Sequence, residues 1–401
     1  MMGKLHATPV RGEEVFSFAY EKDWLASPHA QRLDPNLRLY EGEQYVPDQR
    51  RNFGMFLDSS PDRWGRMLMN RREALYARRN EQEPRTLRES DYLLGVYDGH
   101  RMGALRFKRT PSGPFLDDNH QHASPPWSML RDLEYISRQA ERPDASEEPE
   151  YHKWLDLLVA PGSSLGGARP KASVLDPDDQ LWIAKFPSRS DDRDVGAWEK
   201  VAGLLADRCG IPTAESRLEK FSKMGHTFIS RRFDRSDAGY RKHFVSAMTL
   251  LGYRDGIDHR DGASYLELVA LIIEMGSDVQ ADLMDLWKRM AFNVLISNTD
   301  DHLRNHGFLL TPAGWKLSPA FDLNPEPAGI GLTLNINERE NALDLDLVRE
   351  VAPHFRLDEG EANSIIQKME KEVGAWRDLA ASRGISREEI ALMRPAFNVA
   401  V

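Results

Sequence analysis

The sequence predicts an α+β fold with two lobes and an additional α/β subdomain at the N-terminus. Short apolar runs with strand-like alternation are concentrated before about residue 235, and helical periodicity dominates the remainder. A loop-like stretch rich in Pro, Asp, His and Ser separates the first predicted elements from the next. We therefore divide the chain into a subdomain at residues 1–125, an α/β region at 126–235 and a helical region at 236–401.

The predicted elements of the first two regions mix strands and helices. In the N-terminal subdomain we expect a half-buried strand at residues 15–20, a helix at 53–77 and, after an Asp-Gly turn, a strand at 102–107. In the α/β region we expect a strand pair at 171–175 and 181–186, a helix at 198–209 and a strand at 227–233.

The elements of the third region are mainly helical. Apolar side chains at helical spacing predict helices at residues 265–274 and 282–297. A hairpin follows at 307–317, and the tail is predicted to be helical at 357–379 and 386–393. An α/β lobe followed by a helical lobe is the order of elements in a bilobal protein-kinase-like fold.

The composition is that of an ordinary globular protein. Of 401 residues, 41% are hydrophobic and 29% are charged, so we expect a packed core. The net charge of −10 argues against a nucleic-acid platform over the whole surface, although a basic patch around residues 71–72 and 78–79 stays open. The single cysteine, Cys209, cannot form an intrachain disulfide, and we expect it to be buried.

The sequence indicates a cytoplasmic protein without a membrane partner. The N-terminus lacks the apolar stretch of a secretory signal. The longest apolar run, residues 268–273, is too short to cross a bilayer.

The segment 298–305, Asn-Thr-Asp-Asp-His-Leu-Arg-Asn, lies between a predicted helix and the hairpin. Its Asp300 and Asn305 have the spacing of the Asp and Asn of a protein-kinase catalytic loop. Asp300 is predicted to take the proton of an acceptor hydroxyl, and Asn305 to offer a side-chain oxygen to a metal ion. Asp322, beyond the hairpin, is the predicted second ligand, because hard cations prefer carboxylate oxygen.

Two charged residues upstream are predicted to serve the phosphates of ATP. Lys185 ends an apolar strand and would supply the cation, and Glu199 on the next helix could fix its ammonium. Taken singly, each also fits a structural role, such as a strand-end lysine or a solvated acid. The order Lys, Glu, Asp-x4-Asn, hairpin, Asp along the chain favours phosphoryl transfer.

A metallohydrolase is the alternative interpretation of the same segment. His302 and His306, with Asp300, Asp301 and Asp322, would supply nitrogen and oxygen ligands. Phosphoryl transfer is favoured, because paired histidines at helical spacing do not accompany these residues in the sequence.

A glycine-rich loop at residues 161–171 precedes the strand that ends at Lys185. Glycines let backbone amides approach phosphate oxygens, and such amide nests bind anions. The loop does not match the Walker pattern. Ser163 and Ser164 within it are hydroxyls that could themselves accept phosphate.

Together these motifs resemble the HipA family, the serine/threonine-kinase toxins of bacterial toxin–antitoxin modules. The resemblance covers nearly the whole chain and is carried by residues 53–62, 164–171, 182–187, 231–235, 298–305 and 321–322. It implies a HipA-like fold with ATP and Mg²⁺ as cofactors.

The resemblance implies a role for each matching residue. The three residues of the transfer chemistry keep the roles given above, with Mg²⁺ as the metal. Lys185 would contact the ATP phosphates, and Phe233 and the backbone around Arg231 would contact the adenine. The other predicted residues of the nucleotide site are Glu199, Ser164, Gly166, Gly167, Lys171 and His302.

The resemblance also implies self-regulation. Ser164, with Ser163 as the alternative, would be autophosphorylated, in a family where that modification ejects the loop and switches the kinase off. A phosphate adds about −1.5 to −2 charges beside the phosphates of the nucleotide.

Two residues depart from the family's pattern. Arg231 stands at a hinge position that an acid often fills, so a carboxylate hydrogen bond to adenine is lost. Asp301 replaces a small residue after the catalytic aspartate. We expect its carboxylate to raise the pKa of Asp300 or to widen the metal preference.

The implied partners are proteins. The family's toxins act with a small DNA-binding antitoxin, so the resemblance implies a HipB-like partner and indirect contact with DNA. It implies a protein substrate, of which an aminoacyl-tRNA synthetase is an example, and growth arrest as the outcome. A catalytically weak co-repressor and a small-molecule phosphotransferase remain open as alternatives.

Overall fold

The computed structural model of the protein describes residues 1–47, 50–116, 125–159, 167 and 169–399. The first elements are β1 (Gly3–Val10), β2 (Glu13–Tyr20), α1 (Lys22–Leu25), β3 (Glu43–Tyr45), α2 (Gly54–Leu57), α3 (Arg63–Arg79), α4 (Glu89–Leu94), α5 (Leu130–Ala140), α6 (Tyr151–Val159), β4 (Lys171–Leu175) and β5 (Leu181–Lys185). They are followed by α7 (Val195–Arg208), β6 (Ser216–Ser222), β7 (Gly225–Arg231), β8 (Phe244–Ser246), α8 (Ala247–Leu250), α9 (Tyr265–Met275), α10 (Val279–Leu295), β9 (Gly307–Thr311), β10 (Gly314–Leu317), α11 (Leu345–Glu350), α12 (Glu359–Gly374), α13 (Trp376–Ser382) and α14 (Arg387–Leu392). Within these described ranges, no helix combines the length and the apolar character needed to cross a membrane.

The chain forms two compact units. Unit 1 comprises Met1–Arg189 and Asp234–Arg254, and unit 2 comprises Ser190–Phe233 and Asp255–Val401. The chain therefore passes from one unit to the other three times. The division into three consecutive segments inferred from the sequence remains a prediction.

Unit 1 begins with an antiparallel hairpin of β1 and β2. Arg11 and Gly12 form its turn at φ values of 50° and 92°, which suit the right-handed twist of the strands. Phe16, Phe18 and Tyr20 alternate along β2 and are buried, so the predicted half-buried strand is confirmed.

The prediction of a single helix over residues 53–77 is wrong. Helix α2 ends at Leu57, and α3 begins only at Arg63. Pro61 has no N–H with which to continue the first helix. Asp62 starts the second one as its N-cap, because its Oδ1 accepts the backbone N–H of Gly65 at 3.0 Å.

The prediction of a strand at residues 102–107 is also wrong. Gly103 has a φ of 72°, and its N–H donates to the carboxylate of Asp234 at 2.8 Å. The guanidinium of Arg106 lies 2.6 Å from a carboxylate oxygen of Asp98. Contacts with side chains therefore hold this segment in place of the backbone pairing that a strand would make.

The predicted pair β4–β5 is confirmed as an antiparallel hairpin in which Lys171 lies opposite Lys185. Asp176 shapes the turn, because its Oδ1 accepts the backbone N–H groups of Asp178 and Gln180 at 3.0 and 2.9 Å. The turn fixes the register, and the register fixes where Lys185 ends the strand.

In unit 2, α7 packs against an antiparallel hairpin of β6 and β7. Asp194 caps the helix by accepting the N–H of Ala197 at 3.1 Å, and Cys209 ends it. Cys209 is buried, as expected, and is followed by Gly210 at a φ of 71°. The predicted helix and the predicted strand that corresponds to β7 are confirmed.

The helical part of unit 2 is organised around α10. Its Leu283, Leu286, Met290 and Val294 are completely buried, as the helical spacing predicts. The predicted helix α9, the β9–β10 hairpin and the helical tail are also confirmed. This packing gives the loop after α10 a rigid base.

Candidate active site

The predicted catalytic loop, residues 298–305, lies in unit 2 between α10 and β9. Its first residue, Asn298, is anchored to Asn293 on the last turns of the helix. The backbone N–H and the side-chain amide of Asn298 donate to the carbonyl and side-chain oxygens of Asn293 at 2.9 and 3.0 Å. The loop therefore leaves the helix from a fixed point.

Asn398, far along the chain, completes the end of α10. Its backbone N–H donates to Leu295 O at 2.8 Å, and its Nδ2 donates to Val294 O at 2.7 Å and Ser297 Oγ at 3.1 Å. The last carbonyls of a helix have no partner within it, so these bonds stabilise the helix end. Sequence reasoning missed Asn398, because nothing local connects it with a helix end 104 positions away.

Asp300 and Asn305 lie in opposite environments. Of the Asp300 side chain, 73% is exposed, and its Oδ1 lies 3.9 Å from Nε2 of His302. Asn305 is buried, and its Nδ2 donates to the backbone carbonyl of Asp300 at 2.7 Å. This bond fixes the backbone of the residue that is predicted to act as the base.

The side-chain oxygen of Asn305 is buried and has no hydrogen-bond partner among the described residues. An unpaired buried acceptor costs roughly 1–3 kcal/mol, so such an atom calls for an explanation. The amide nitrogen is already engaged, which leaves the oxygen as the free end of the side chain. A hard cation is a suitable partner for it.

Asp322, the second predicted metal ligand, has a φ of 59°, which is uncommon for a residue with a side chain. Its Oδ1 accepts Nδ2 of Asn324 at 3.0 Å. The backbone N–H of Asn324 donates to the side-chain oxygen of Asn298 at 3.3 Å. The segment of Asp322 is therefore tied to the start of the catalytic loop, and backbone strain of this kind is often found at functional sites.

The two predicted metal ligands fit Mg²⁺. An amide oxygen and a carboxylate suit an ion that is held by few protein ligands together with substrate phosphates. Throughout the part of the chain that the structure describes, no group of three or more His, Cys, Asp or Glu side chains could hold a metal. His306 is buried against the ring of Tyr265, and burial lowers its pKa to about 3. The geometry therefore does not favour the metallohydrolase alternative.

Asp301 lies in the interior of unit 2, with 1% of its surface exposed. Its Oδ2 accepts the hydroxyl of Tyr265 at 2.6 Å, and its Oδ1 accepts the N–H of Thr333 at 2.7 Å. Burial raises the pKa of this carboxyl to about 7, although the hydrogen bonds oppose the shift. Asp301 braces the loop from inside, so the expected widening of the metal preference has no support in the geometry.

Phe233, whose side chain is predicted to contact the adenine, lies beside the residue that precedes Asp322. The rings of Phe233 and Phe321 are 5.5 Å apart between centroids. Arg231 ends β7, where its N–H donates to the carbonyl of Glu215 at 2.8 Å and its Nη1 lies 3.5 Å from that residue's carboxylate. The family's pattern often has an acid at position 231. This chain has a guanidinium there, and one of its partners is the surface carboxylate of Glu215.

Three predicted nucleotide-site residues lie in the described part of unit 1. Lys185 is half-buried at the end of β5. Lys171 is buried in β4, and its Nζ lies 2.8 Å from Oδ2 of Asp62, the N-cap of α3. The ammonium of Lys171 therefore has a carboxylate partner in the interior, where a phosphate was expected. Gly167 has a φ of 101°, which few other residues adopt.

Four of the predicted site residues remain. Ser163, Ser164 and Gly166 lie outside the described residues. Glu199 is buried on α7 of unit 2, and its pairing with Lys185 remains a prediction.

Comparisons with known proteins identify the family. Residues 163–376, more than half of the chain, match the family model of the HipA-like C-terminal domain. The serine/threonine-protein kinase toxin HipA of Shewanella oneidensis is 31% identical over 143 residues, which cover 31% of this chain and 33% of that protein. A relative from Haemophilus influenzae is 24% identical over 194 residues, which cover 43% of this chain and 56% of the relative. The matched segments thus span about a third to a little over half of these curated relatives.

A solved structure shares the fold. A chain of the Shewanella oneidensis complex of HipA, HipB and operator DNA is similar with a TM-score of 0.68. The similarity covers 99% of this chain and 92% of that chain at 18% identity. At this identity the similarity concerns the fold, and the predicted kinase-like α+β fold is confirmed.

Proposed function

Because the chain belongs to the HipA family of kinase toxins, we propose that it transfers the γ-phosphoryl group of ATP to a serine or threonine of a protein. The observation that carries the proposal is the pairing of an exposed Asp300 with a buried Asn305 whose side-chain oxygen lacks a partner among the described residues. The bond of Asn305 to the carbonyl of Asp300 couples the two positions. A base and a metal ligand in one rigid loop are what phosphoryl transfer requires.

Each residue has one task in the proposed reaction. Asp300 orients the acceptor hydroxyl and accepts its proton as the oxygen attacks the γ-phosphorus, while the bond from that phosphorus to the β–γ bridging oxygen breaks and ADP leaves. Asn305 and Asp322 hold Mg²⁺, which, when bound, neutralises charge on the phosphate oxygens. Lys185 binds the phosphates, and Phe233 contacts the adenine. The exposure of Asp300 suits a base that must reach the hydroxyl of another protein.

The proposal extends to regulation and partners. Autophosphorylation of Ser164 or Ser163 would add charge beside the nucleotide and oppose its binding. The Shewanella relative was solved in a complex with HipB and operator DNA, which supports a HipB-like antitoxin as the partner of this chain. Action in the cytoplasm, arrest of growth and an aminoacyl-tRNA synthetase as substrate are further parts of the proposal.

The test is a transfer assay with γ-labelled ATP and Mg²⁺, which follows the label on the chain itself. We expect label on the wild type, and a loss of about 10²-fold or more in Asp300→Asn and Asp322→Asn, because each removes a group that acts in the transition state. Asp346→Asn is the matched control, since that side chain is 87% exposed on α11.

The outcomes separate the candidate functions. Equal labelling of the wild type and Asp300→Asn would contradict the assigned base. Binding of ATP without any label, together with a stable complex with a HipB-like protein, would favour the co-repressor. Transfer to a sugar or an antibiotic in preference to protein would favour the small-molecule phosphotransferase.

A further inference from the structure

The loop that follows Asp322 presents one large apolar side chain to solvent. Ile330 is 95% exposed and stands between Gly329 and Gly331. The neighbouring Leu332 is buried in unit 2. The loop therefore has an apolar core contact at one end and an isoleucine without cover beside it.

Hydrogen bonds hold this loop in a defined shape. The N–H of Glu326 donates to Ser297 O at 3.2 Å, and the N–H of Gly329 donates to Glu326 O at 3.1 Å. On the other side of Ile330, the N–H of Leu332 donates to Asn341 O at 2.8 Å. The exposed isoleucine is thus carried on a backbone that is fixed on both sides.

The loop also touches the residue that precedes the proposed base. A Cβ placed on Gly329 would lie 2.5 Å from Cγ2 of Thr299, so only glycine permits this approach. The hydroxyl of Thr333 donates to the carbonyl of Thr299 at 2.7 Å. Contacts to Thr299 therefore flank Ile330 on both sides, and Asp300 is the next residue along the chain.

A single exposed apolar residue is ordinary on a protein surface. Leu392, which is 71% exposed on α14, is an example in the same unit. Ile330 differs because a rigid loop holds it next to the catalytic loop. A protruding side chain cannot enclose a small molecule, since sites for small molecules are concave. A chain segment lying across the loop is the occupant that fits.

We propose that Ile330 determines specificity by contacting an apolar side chain beside the acceptor residue of the protein substrate. The inference rests on the proposed function and deepens it. It commits to an extended peptide segment whose hydroxyl reaches Asp300 while its apolar neighbour covers Ile330.

The test uses a positional-scanning library of serine peptides, in which each position around the acceptor is fixed in turn, with ATP and Mg²⁺. We expect the wild type to prefer an apolar residue next to the serine. In Ile330→Asp the KM for the preferred peptides should rise on the order of tenfold, because an apolar contact is lost and a charge is desolvated. Ile330→Leu should retain the preference of the wild type, because its side chain is also apolar. Leu392→Asp is the control for an added surface charge.

Each outcome decides between the inference and its premise. A wild type that labels serine peptides with the same preference and KM as Ile330→Asp overturns the inference and leaves the proposed function standing. A loss of kcat with unchanged KM overturns it as well, because that result would assign a role in the loop's geometry. A wild type that labels neither itself nor any peptide overturns the proposed function, and the inference falls with it.

Discussion

The catalytic loop of unit 2 and the Asp62–Lys171 pair of unit 1 use similar residue types in opposite ways. In unit 1, Nζ of Lys171 lies 2.8 Å from Oδ2 of Asp62, and both side chains are at most 3% exposed. The other oxygen of Asp62 accepts the N–H of Gly65. In unit 2, Asp300 is mostly exposed, and the oxygen of Asn305 has no partner among the described residues.

The difference teaches how to separate structural from functional polar groups. A buried charge that already has its counter-charge and hydrogen bonds is satisfied within the fold and has little capacity left for a ligand. A fixed side chain with an unused acceptor keeps that capacity, at a cost in stability. The two regions therefore differ less in residue type than in whether their polar side-chain atoms already have hydrogen-bond or charge partners.

The largest expected effect tests the structural side of this comparison. Lys171→Met removes one partner of the buried pair and leaves the carboxylate of Asp62 in the interior. We expect the free energy of unfolding to fall by about 3–5 kcal/mol. Urea unfolding measures the loss, and hydrogen exchange should report faster opening of α3, which Asp62 caps.

Lys4→Met is the control for this change. Lys4 pairs with Glu21 at 3.0 Å, but its side chain is 60% exposed, so the expected loss is below about 1 kcal/mol. Equal losses in the two variants would contradict a structural role for Lys171. A stable Lys171→Met with strongly weakened ATP binding would return Lys171 to the predicted phosphate site.

The sequence predicts the periodic elements and the ordered motif, because both are local patterns. Helix α10 and the hairpin after the catalytic loop follow from spacing alone. The pairing of Asp62 with Lys171 joins positions 109 residues apart, and no local pattern reports it. The same holds for Asn398, whose partners are set by the tertiary fold.

The adjacent Asp300 and Asp301 mark the limit of sequence reasoning within the site. They are the same residue type, and the spacing of the motif selects only the first. Which carboxylate faces solvent depends on Tyr265 and Thr333, which hold the second from inside. The predicted strand at residues 102–107 failed for a related reason, since one of the side chains that hold that segment, Asp234, lies 131 positions away from Gly103.

A smaller effect is expected from Asp301, which is buried like the unit 1 pair but has no counter-charge at hydrogen-bond distance among the described residues. Burial raises its pKa from 3.8 to about 7. The protonated form is therefore favoured in the folded state, and its contribution to stability is complete at pH values below 3.8. The contribution is lost as the pH rises through about 7.

Asp301→Asn keeps a neutral group at all pH values. Between pH 5 and pH 8 we expect the wild type to lose on the order of 2 kcal/mol more stability than the variant. Urea unfolding across this range gives the difference. His306 packs nearby against Tyr265, and the burial that lowers its pKa to about 3 gives both proteins the same additional pH dependence, so only the difference between the two curves is diagnostic. If the stabilities of the two proteins change in parallel with pH, Asp301 does not titrate in this range.

The smallest effect tests whether the catalytic loop depends on the support of α10. Asn398→Ala removes the side-chain bonds to Val294 O and Ser297 Oγ and retains the backbone bond to Leu295 O. We expect a loss of about 1 kcal/mol in the free energy of unfolding, measured by urea, and a several-fold lower kcat in the transfer assay.

Asn363→Ala is the matched control, because it also removes a half-buried side-chain bond, the one that Arg349 donates at 3.0 Å. Its loss of stability should be similar, while kcat should be unchanged, since the bond joins α11 to α12. If both variants lose stability and neither loses activity, the end of α10 supports only the fold. If Asn398→Ala alone loses activity, the catalytic loop owes its geometry to the packing of α10. The two regions would then differ only in whether their polar side-chain atoms already have partners, because the backbone that carries these side chains is rigid in both.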